Sequence, residues 1–190
     1  MTRQLLSVQV GRVRPVQING RTVASAHAKH PVPGPITVRP LGLEGDEQAD
    51  LSVHGGLSKA VYAYPSEHYP FWQTVRAQAK VSLWNEPLPP GSLGENLLIS
   101  GLLEQDAHVG DLLRFPHCTL AVSEPRLPCF KFQAAMGFKQ AVKLMVQSGF
   151  CGFYLAVRQA GTIAAGEGFE LVPGEREVSI RELFRARARA

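Results

Sequence analysis

The residue best placed for chemistry in this sequence is Cys129, which lies in the segment Glu124-Pro-Arg-Leu-Pro-Cys-Phe-Lys131. Two prolines interrupt the strand-like run at 119–123, so Cys129 is predicted to lie on a stiff loop. Arg126 and Lys131 flank it, and cations near a thiol favour the thiolate, which attacks electrophiles or binds metals. The alternative is that Cys129 is a small buried apolar residue, as most free cysteines are.

A polar, glycine-rich stretch at 42–50 carries four carboxylates within seven residues. Such crowding favours a solvated acidic loop, which is the interpretation for Glu44 and Asp50. Asp46 directly follows Gly45, so the turn is expected to direct its side chain inward.

The tripeptide His54-Gly55-Gly56 is followed by Lys59. Paired glycines let backbone N–H groups converge on an anion, and a nearby lysine adds a positive charge. This pattern predicts a phosphate cradle, although a glycine pair by itself indicates only a turn. Further along, Asn96 precedes a short apolar strand and offers both a donor and an acceptor to a ligand. The alternative for Asn96 is an Asx-turn.

The other histidines and cysteines give no metal-binding pattern. His27, His30 and His117 lie near prolines or turns and are expected to be exposed, and no two histidines have metal-ligand spacing. Three widely spaced cysteines argue against a disulfide framework and against a CxxC zinc site. Cys118 and Cys151 are therefore expected to be structural.

Many short strands must position these residues. Gly and Pro make up 32 of 190 residues, and period-two apolar patterns recur throughout the chain. About eight short strands predict a mostly β fold, a closed or near-closed β-barrel with a few peripheral α-helices. The strands are expected near 6–10, 22–28, 36–38, 61–64, 97–99, 111–115, 119–123, 153–157 and 169–171.

Helices are expected to be few. Ser66 is a plausible N-cap for a helix from Glu67 to about Gln78. A second helix is predicted by apolar residues at helical spacing between Phe138 and Met145, with Gly149 as its stop. The chain is expected to divide into a barrel domain at 1–174 and a short basic C-terminal helix or tail at 175–190.

Composition indicates an ordinary soluble globular protein, with 45% hydrophobic and 19% charged residues. No apolar run is long enough to span a bilayer and no signal sequence is evident, so a cytoplasmic location is expected. The net charge is +4, and five arginines lie between Glu175 and Ala190. Nucleic-acid binding is not expected, because no aromatic interleaving or recognition motif accompanies these arginines.

The ordered set of motifs resembles the MOSC family, named for the C-terminal domain of molybdenum-cofactor sulfurases, and its stand-alone bacterial YiiM-like branch. The resemblance runs from about Leu5 to Val172. It rests on the motifs Gly42-Leu-Glu-Gly-Asp46, Val53-His-Gly-Gly56, Tyr64-Pro-Ser-Glu-His-Tyr69, Gly94-Glu-Asn-Leu97, Gly110-Asp111 and Pro125-Arg-Leu-Pro-Cys-Phe-Lys131.

The resemblance implies a β-barrel that binds the molybdenum cofactor, molybdopterin. It implies that Cys129 is the protein ligand to molybdenum and the catalytic residue. The implied cofactor or substrate contacts are Asp46, His54, Gly55, Gly56, Lys59, Asn96, Arg126 and Lys131.

The function implied is reduction of N-hydroxylated compounds, such as hydroxylamino purine bases, to amines. The alternative is a non-catalytic carrier of the cofactor, or of sulfur on Cys129. No iron–sulfur cysteine set is present, so a separate electron-donor protein is expected. A homodimer is possible, and no membrane partner is expected.

Overall fold

The computed structural model describes residues 2–49 and 55–188, which form a mostly β fold with four α-helices. The strands are β1 (Gln4–Val10), β2 (Arg14–Ile18), β3 (Arg21–Ser25), β4 (His30–Pro31), β5 (Ile36–Arg39), β6 (Gly42–Leu43), β7 (Val61–Pro65), β8 (Leu97–Ser100), β9 (Leu112–Arg114), β10 (Thr119–Pro125), β11 (Phe153–Gln159), β12 (Gly161–Ile163) and β13 (Glu170–Val172).

Eight of these strands form the main sheet, in the order β13-β9-β10-β11-β7-β8-β1-β4. β7 and β8 pair in parallel, and the other neighbours pair antiparallel. β10 lies inside the sheet, and its residues Leu120, Ala121 and Val122 are all buried. A strand covered on both faces loses the strict apolar–polar alternation, so β10 reads as an apolar run. The chain continues from the C-terminal end of β10, at Pro125, to Arg126 and Cys129.

The predicted mostly β fold with a few helices is confirmed. Of the two forms predicted, a closed or a near-closed barrel, the closed one is wrong, because no sheet closes on itself in the residues described. β4 occupies the Gln9–Val10 end of β1, while the opposite end of β1 approaches the chain just before β13. That approach is a single bridge, Gln4 to Gly168, with irregular backbone bonds from Leu5 N–H to the Glu167 carbonyl (2.9 Å) and from Gly166 N–H to the Leu5 carbonyl (2.7 Å). The two edges therefore meet at a turn rather than along a strand ladder.

Two smaller sheets complete the β structure. β12, β5 and β6 form a three-stranded sheet, and β2 with β3 forms a separate hairpin. Asn19 and Gly20 both have positive φ at the hairpin turn (51° and 76°). Positive φ at both central residues is typical of the type I′ turn that matches strand twist, and Asn-Gly is its preferred sequence.

The four helices are α1 (Tyr69–Gln78), α2 (Phe130–Met136), α3 (Ala141–Ser148) and α4 (Ile180–Arg187). α3 confirms its prediction, including Gly149 as the left-handed cap with φ of 74°. The predicted N-cap of α1 is wrong, because a 3₁₀ turn at Ser66–His68 precedes the helix and His68 occupies the cap position. No helix in the described ranges is long and apolar enough to cross a membrane.

The C-terminal helix α4 belongs to the packed fold. Ser179 and Glu182 form a capping box, in which each side chain accepts from the other residue's backbone N–H. Ile180 and Phe184 are fully buried in the main core, and the helix packs against β10. The basic tail is therefore amphipathic, with an arginine-rich face outside and an apolar edge inside.

Candidate functional site

A cleft lies where β10 ends, and it gathers most of the predicted site residues. We call it the Cys129 cleft; it encloses about 100 Å³. Seven of the nine predicted residues line it, and Gly56 does not. His54 lies outside the described residues. The seven are Asp46, Gly55, Lys59, Asn96, Arg126, Cys129 and Lys131.

Cys129 occupies the junction between β10 and α2. Its φ and ψ of −132° and 173° are extended, and it is the N-cap residue of α2. Pro128 comes immediately before it, where a missing N–H interrupts no helical bond. The expected stiff loop is therefore only three residues long, from Arg126 to Pro128, and a helix follows directly. Cys129 is partly exposed, whereas Cys118 and Cys151 are buried.

Arg126 places a buried positive charge at the wall of this cleft. The residue is only 4% exposed, and its guanidinium lies 4.7 Å from the ring centre of Phe132 and 5.7 Å from that of Tyr62. Within the described ranges no carboxylate forms a salt bridge with it. Burial alone lowers the pKa of Arg126, but Tyr62, Tyr154 and Cys129 outweigh burial and raise it. The guanidinium therefore stays charged, stabilised by aromatic faces and facing the region where an anion would bind.

Two tyrosines line the cleft beside Arg126, Tyr62 on strand β7 and Tyr154 on strand β11. Burial raises the pKa of Tyr62 well above its usual range, although Arg126 opposes the shift. Burial likewise raises the pKa of Tyr154 to about 12, again against the effect of Arg126. Both phenols therefore remain protonated at neutral pH. The Tyr62 hydroxyl donates to the Cys151 carbonyl at 2.7 Å, which fixes the ring across the cleft.

Asp46 points inward, with a side chain only 5% exposed. One carboxylate oxygen accepts from the Gly11 N–H (2.8 Å) and pairs with the Lys29 ammonium, which is itself 8% exposed. The other oxygen accepts from the Asn96 side-chain amide at 2.9 Å. A buried carboxylate tolerates burial when charge-assisted hydrogen bonds surround it. Lys29 and Asp46 therefore form a fixed, internally neutralised part of the cleft wall.

Asn96 uses its amide to join three segments of the chain. Its side-chain oxygen accepts from the Tyr62 N–H at 3.0 Å, and its NH₂ group donates to the Gln9 carbonyl at 3.2 Å as well as to Asp46. The residue is 4% exposed. Both ends of the amide are therefore engaged by the protein, and Asn96 acts on the cleft by positioning Asp46 and Tyr62.

Gly55 and Lys59 also line the cleft, and Gly56 lies outside the lining. Gly55 and Gly56 have φ of 137° and 80°, which favours glycine at both positions. The Gly56 N–H donates to the Gln48 side chain at 3.2 Å, so one donor of the predicted phosphate cradle already has an acceptor. The Lys59 ammonium lies 3.8 Å from Glu124 and 5.9 Å from the ring centre of Tyr154.

Glu124 also reaches the C-terminal helix. The Arg187 guanidinium of α4 donates to the same Glu124 oxygen at 2.9 Å, and the Ser58 hydroxyl donates to the other oxygen at 3.3 Å. One carboxylate at the rim is thus shared by Lys59 and Arg187. On the far rim, the Lys131 ammonium donates to the Ala24 carbonyl at 2.7 Å and ties α2 to the end of β3.

Among the cleft residues that the sequence prediction missed are His27, Lys29, Tyr62 and Tyr154. His27 was expected to be exposed, but it is partly buried, and a Cβ at Gly94 would lie only 2.6 Å from its ring. Tyr62 and Tyr154 lie in predicted strands, where the alternation did not identify which face would border a cleft. Lys29 carries no pattern that could have identified it.

The donor set indicates how a metal could be held. No cluster of three or more His, Cys, Asp or Glu side chains suited to a metal ion occurs in the part of the chain that the structure describes. A single cysteine among cations suits a metal whose other ligands arrive with an organic cofactor.

Comparison with known proteins identifies the family. The family model of the MOSC domain matches residues 50–170. The chain is 35% identical over 178 residues to the uncharacterized protein YflK of Bacillus subtilis strain 168, covering 93% of this chain and 77% of YflK. It is 36% identical over 158 residues to the protein YiiM of Escherichia coli K12, covering 83% and 68%.

Two further similarities concern a reductase and a solved structure. A Gibberella moniliformis protein named reductase is 32% identical over 192 residues, covering 96% of this chain but only 32% of that protein. The crystal structure of YiiM from Geobacillus stearothermophilus superposes with a TM-score of 0.77 at 30% identity, covering 98% of this chain and 84% of that one.

Proposed function

Because the chain belongs to the MOSC domain family, we propose that it is a reductase that uses the molybdenum cofactor to convert N-hydroxylated compounds into amines. MOSC domains are associated with this cofactor, and one relative is named a reductase. The observation that carries the proposal is the partly exposed Cys129 beside the buried Arg126, whose charge no described carboxylate neutralises.

The residues present fit the cofactor. Cys129 offers a soft sulfur ligand, and Arg126 favours its thiolate form. Lys59 and Lys131 add two further cations to the cleft lining, where they would help to hold an anionic phosphate. Asp46 is already neutralised by Lys29, so its carboxylate does not repel such a group. When bound, the cofactor supplies the two-electron chemistry that removes oxygen from nitrogen.

The overall reaction consumes two electrons and two protons for each N–OH group and yields the amine and one water. The three widely spaced cysteines do not form an iron–sulfur cysteine set, so the electrons would come from a separate protein. The residues of the cleft orient the substrate and exclude water. Tyr154 lines the same cleft, and burial keeps its phenol protonated at neutral pH.

The test compares Cys129→Ser with Cys118→Ser, both expressed in a host that makes the cofactor. We expect Cys129→Ser to lose molybdenum and the reduction of a hydroxylamino purine with an artificial electron donor. A serine hydroxyl is a hard ligand with a far higher pKa. Cys118 is a matched control because burial raises its pKa to about 12 and it lies outside the cleft.

The outcomes separate the reductase from a carrier. Equal activity per folded molecule in both variants would remove Cys129 from the mechanism. Molybdenum bound by the unmodified protein, without reduction of any N-hydroxylated compound, would instead indicate a cofactor carrier. A homodimer and the identity of the electron donor remain part of the proposal, to be measured by light scattering and by reconstitution.

A further inference from the structure

A second, larger cleft adjoins the Cys129 cleft, and we call it the adjoining cleft. It encloses about 620 Å³, within the range of about 300–1,000 Å³ typical of small-molecule sites. Its walls come from the β2–β3 hairpin, the 26–31 segment, the end of α1, the 86–92 loop and α2. The two clefts share four lining residues, so they lie next to each other. The shared residues are Ser25, His27, Lys29 and Lys131.

The charge of the adjoining cleft is basic. Among the described residues that line it, Glu86 is the one acidic side chain. The basic side chains are Arg76, Lys131 and His30, in addition to Lys29, which is already paired with Asp46. Glu86 accepts from the Leu83 N–H at 3.0 Å and makes no ion pair with the cleft's arginine in the described ranges. Electrostatically, the cleft favours an anionic ligand.

Arg76 is the cation available to that ligand. It lies in the last turn of α1 and lines the cleft, and its guanidinium makes no hydrogen bond or ion pair in the part of the chain described. Its Nε is buried, so a ligand would meet the guanidinium through the two terminal nitrogens. Lys131, by contrast, already donates to the Ala24 carbonyl. An anion in this cleft would give the Arg76 guanidinium the acceptor that the protein does not provide.

The remaining wall is apolar and favours an organic ligand over a simple ion. Ile18, Leu88 and Met136 are buried residues that border the cleft. An apolar wall beside a basic group suits a ring or sugar that carries a phosphate. A phosphate monoester matches the planar fork of an arginine, which binds two of its oxygens at once.

We propose that the adjoining cleft binds the phosphate of a nucleotide whose base enters the Cys129 cleft. The substrate of the reductase is then an N-hydroxylated nucleoside monophosphate rather than the free base. This inference rests on the proposed function for the base, and it adds the phosphate site, with Arg76 as its principal contact.

The test measures binding without turnover. Adenosine 5′-monophosphate and adenosine are titrated by calorimetry into the full chain purified from a cofactor-producing host. We expect the monophosphate to bind at least about tenfold more tightly, since a charge-assisted bond to phosphate is among the stronger polar contacts. Arg76→Ala should abolish that preference, while Arg185→Ala, which removes an exposed arginine of α4, should retain it.

A second variant keeps the test informative if Arg76→Ala fails to fold. Glu86→Gln keeps an acceptor for the Leu83 N–H but removes the negative charge, so it should tighten monophosphate binding severalfold. Equal affinity for the nucleoside and the monophosphate in the unmodified protein would overturn the inference. So would a monophosphate preference that Arg76→Ala or Glu86→Gln leaves unchanged.

Measurements of molybdenum content and of substrate reduction distinguish a failure of this inference from a failure of the proposed function. If the monophosphate preference appears only in cofactor-free protein, and Arg76→Ala lowers molybdenum content, the cleft holds the cofactor phosphate and the inference is wrong. If the preference holds but no N-hydroxylated compound is reduced, the proposed reductase fails while the phosphate site stands. If free bases are reduced as fast as their monophosphates at low concentration, the reductase stands and the nucleotide assignment fails.

Discussion

Replacing Asn96 by aspartate tests the internal support of the Cys129 cleft. The two side chains have the same shape, so the change exchanges an NH₂ donor for an acceptor. The Gln9 carbonyl and the Asp46 carboxylate each lose a hydrogen bond, at 3.2 and 2.9 Å, while the Tyr62 N–H keeps its acceptor. Leaving a buried polar group unsatisfied costs about 1–3 kcal/mol, so the two losses together cost about 2–6 kcal/mol. That is a large part of the roughly 5–15 kcal/mol typical of a domain.

The same variant acquires a pH dependence, because two carboxylates then face each other. At an effective dielectric constant of about 20, unit charges about 4 Å apart repel by about 4 kcal/mol. Protonating an ordinary carboxyl at pH 7 costs about the same, at 1.36 kcal/mol per pH unit above its pKa of about 4. The Lys29 ammonium on Asp46 offsets part of this repulsion, so the introduced carboxyl takes up its proton below neutrality, between about pH 5 and 7, but still at a higher pH than in the unfolded chain. Stability is retained at low pH and lost as pH rises through that range.

The assay is urea unfolding of Asn96→Asp, Asn85→Asp and the unmodified protein at pH 5, 6, 7 and 8. Asn85 is exposed, so its replacement should change the free energy of unfolding by less than about 0.5 kcal/mol at every pH. Asn96→Asp should be destabilised most at pH 8, and the difference from the unmodified protein should shrink towards pH 5. A loss no larger than that of Asn85→Asp, or one that does not vary with pH, would refute this account of Asn96.

Three other predictions concern the core and the titrating groups. Phe184→Ala should destabilise the protein by about 3–5 kcal/mol in urea unfolding, because the side chain is fully buried under α4; a loss below about 1 kcal/mol would contradict the packing of that helix. In an ultraviolet titration of the folded protein, Tyr154→Phe should remove a tyrosine that ionises near pH 12. Loss of one that ionises near pH 10 would show that burial does not govern Tyr154. Brief treatment with iodoacetamide at pH 8 should modify Cys129 and spare Cys118 and Cys151, because burial raises the pKa of both structural thiols. Equal labelling of all three, measured by mass spectrometry, would contradict that assignment.

Local patterns predicted the strands well, because period-two alternation and Gly or Pro punctuation are local properties. The predicted strand near 153–157 appears as Phe153–Gln159, and that near 61–64 as Val61–Pro65. Helix α2 was missed because Pro128 reads as a break, although a proline just before an N-cap is compatible with a helix. Closure of the sheet was wrongly predicted because it depends on register between strands far apart in sequence.

In the candidate site, too, contacts between residues close in sequence could be predicted and contacts between distant segments could not. Arg126, Cys129 and Lys131 are close in sequence, so their proximity to one another could be predicted. The pairing of Lys29 with Asp46 could not, because it depends on how the loop after β3 and the loop after β6 meet. The engagement of Asn96 by Gln9, Asp46 and Tyr62 is likewise a product of the tertiary fold. Sequence reasoning identified the polar group but not what it would contact.

Through Glu124, the C-terminal helix α4 affects the charge at the rim of the Cys129 cleft. Lys59 and Arg187 share one carboxylate, and Arg187 holds the shorter contact, 2.9 Å against 3.8 Å. While Arg187 is bound, Glu124 neutralises Lys59 incompletely, and the rim keeps positive potential that attracts an anion. If Arg187 were released, Glu124 could turn wholly to Lys59 and cancel that potential. Helix α4 contributes no described lining residue to the Cys129 cleft, yet through Arg187 it affects how strongly the cleft attracts an anion. High ionic strength would weaken that influence.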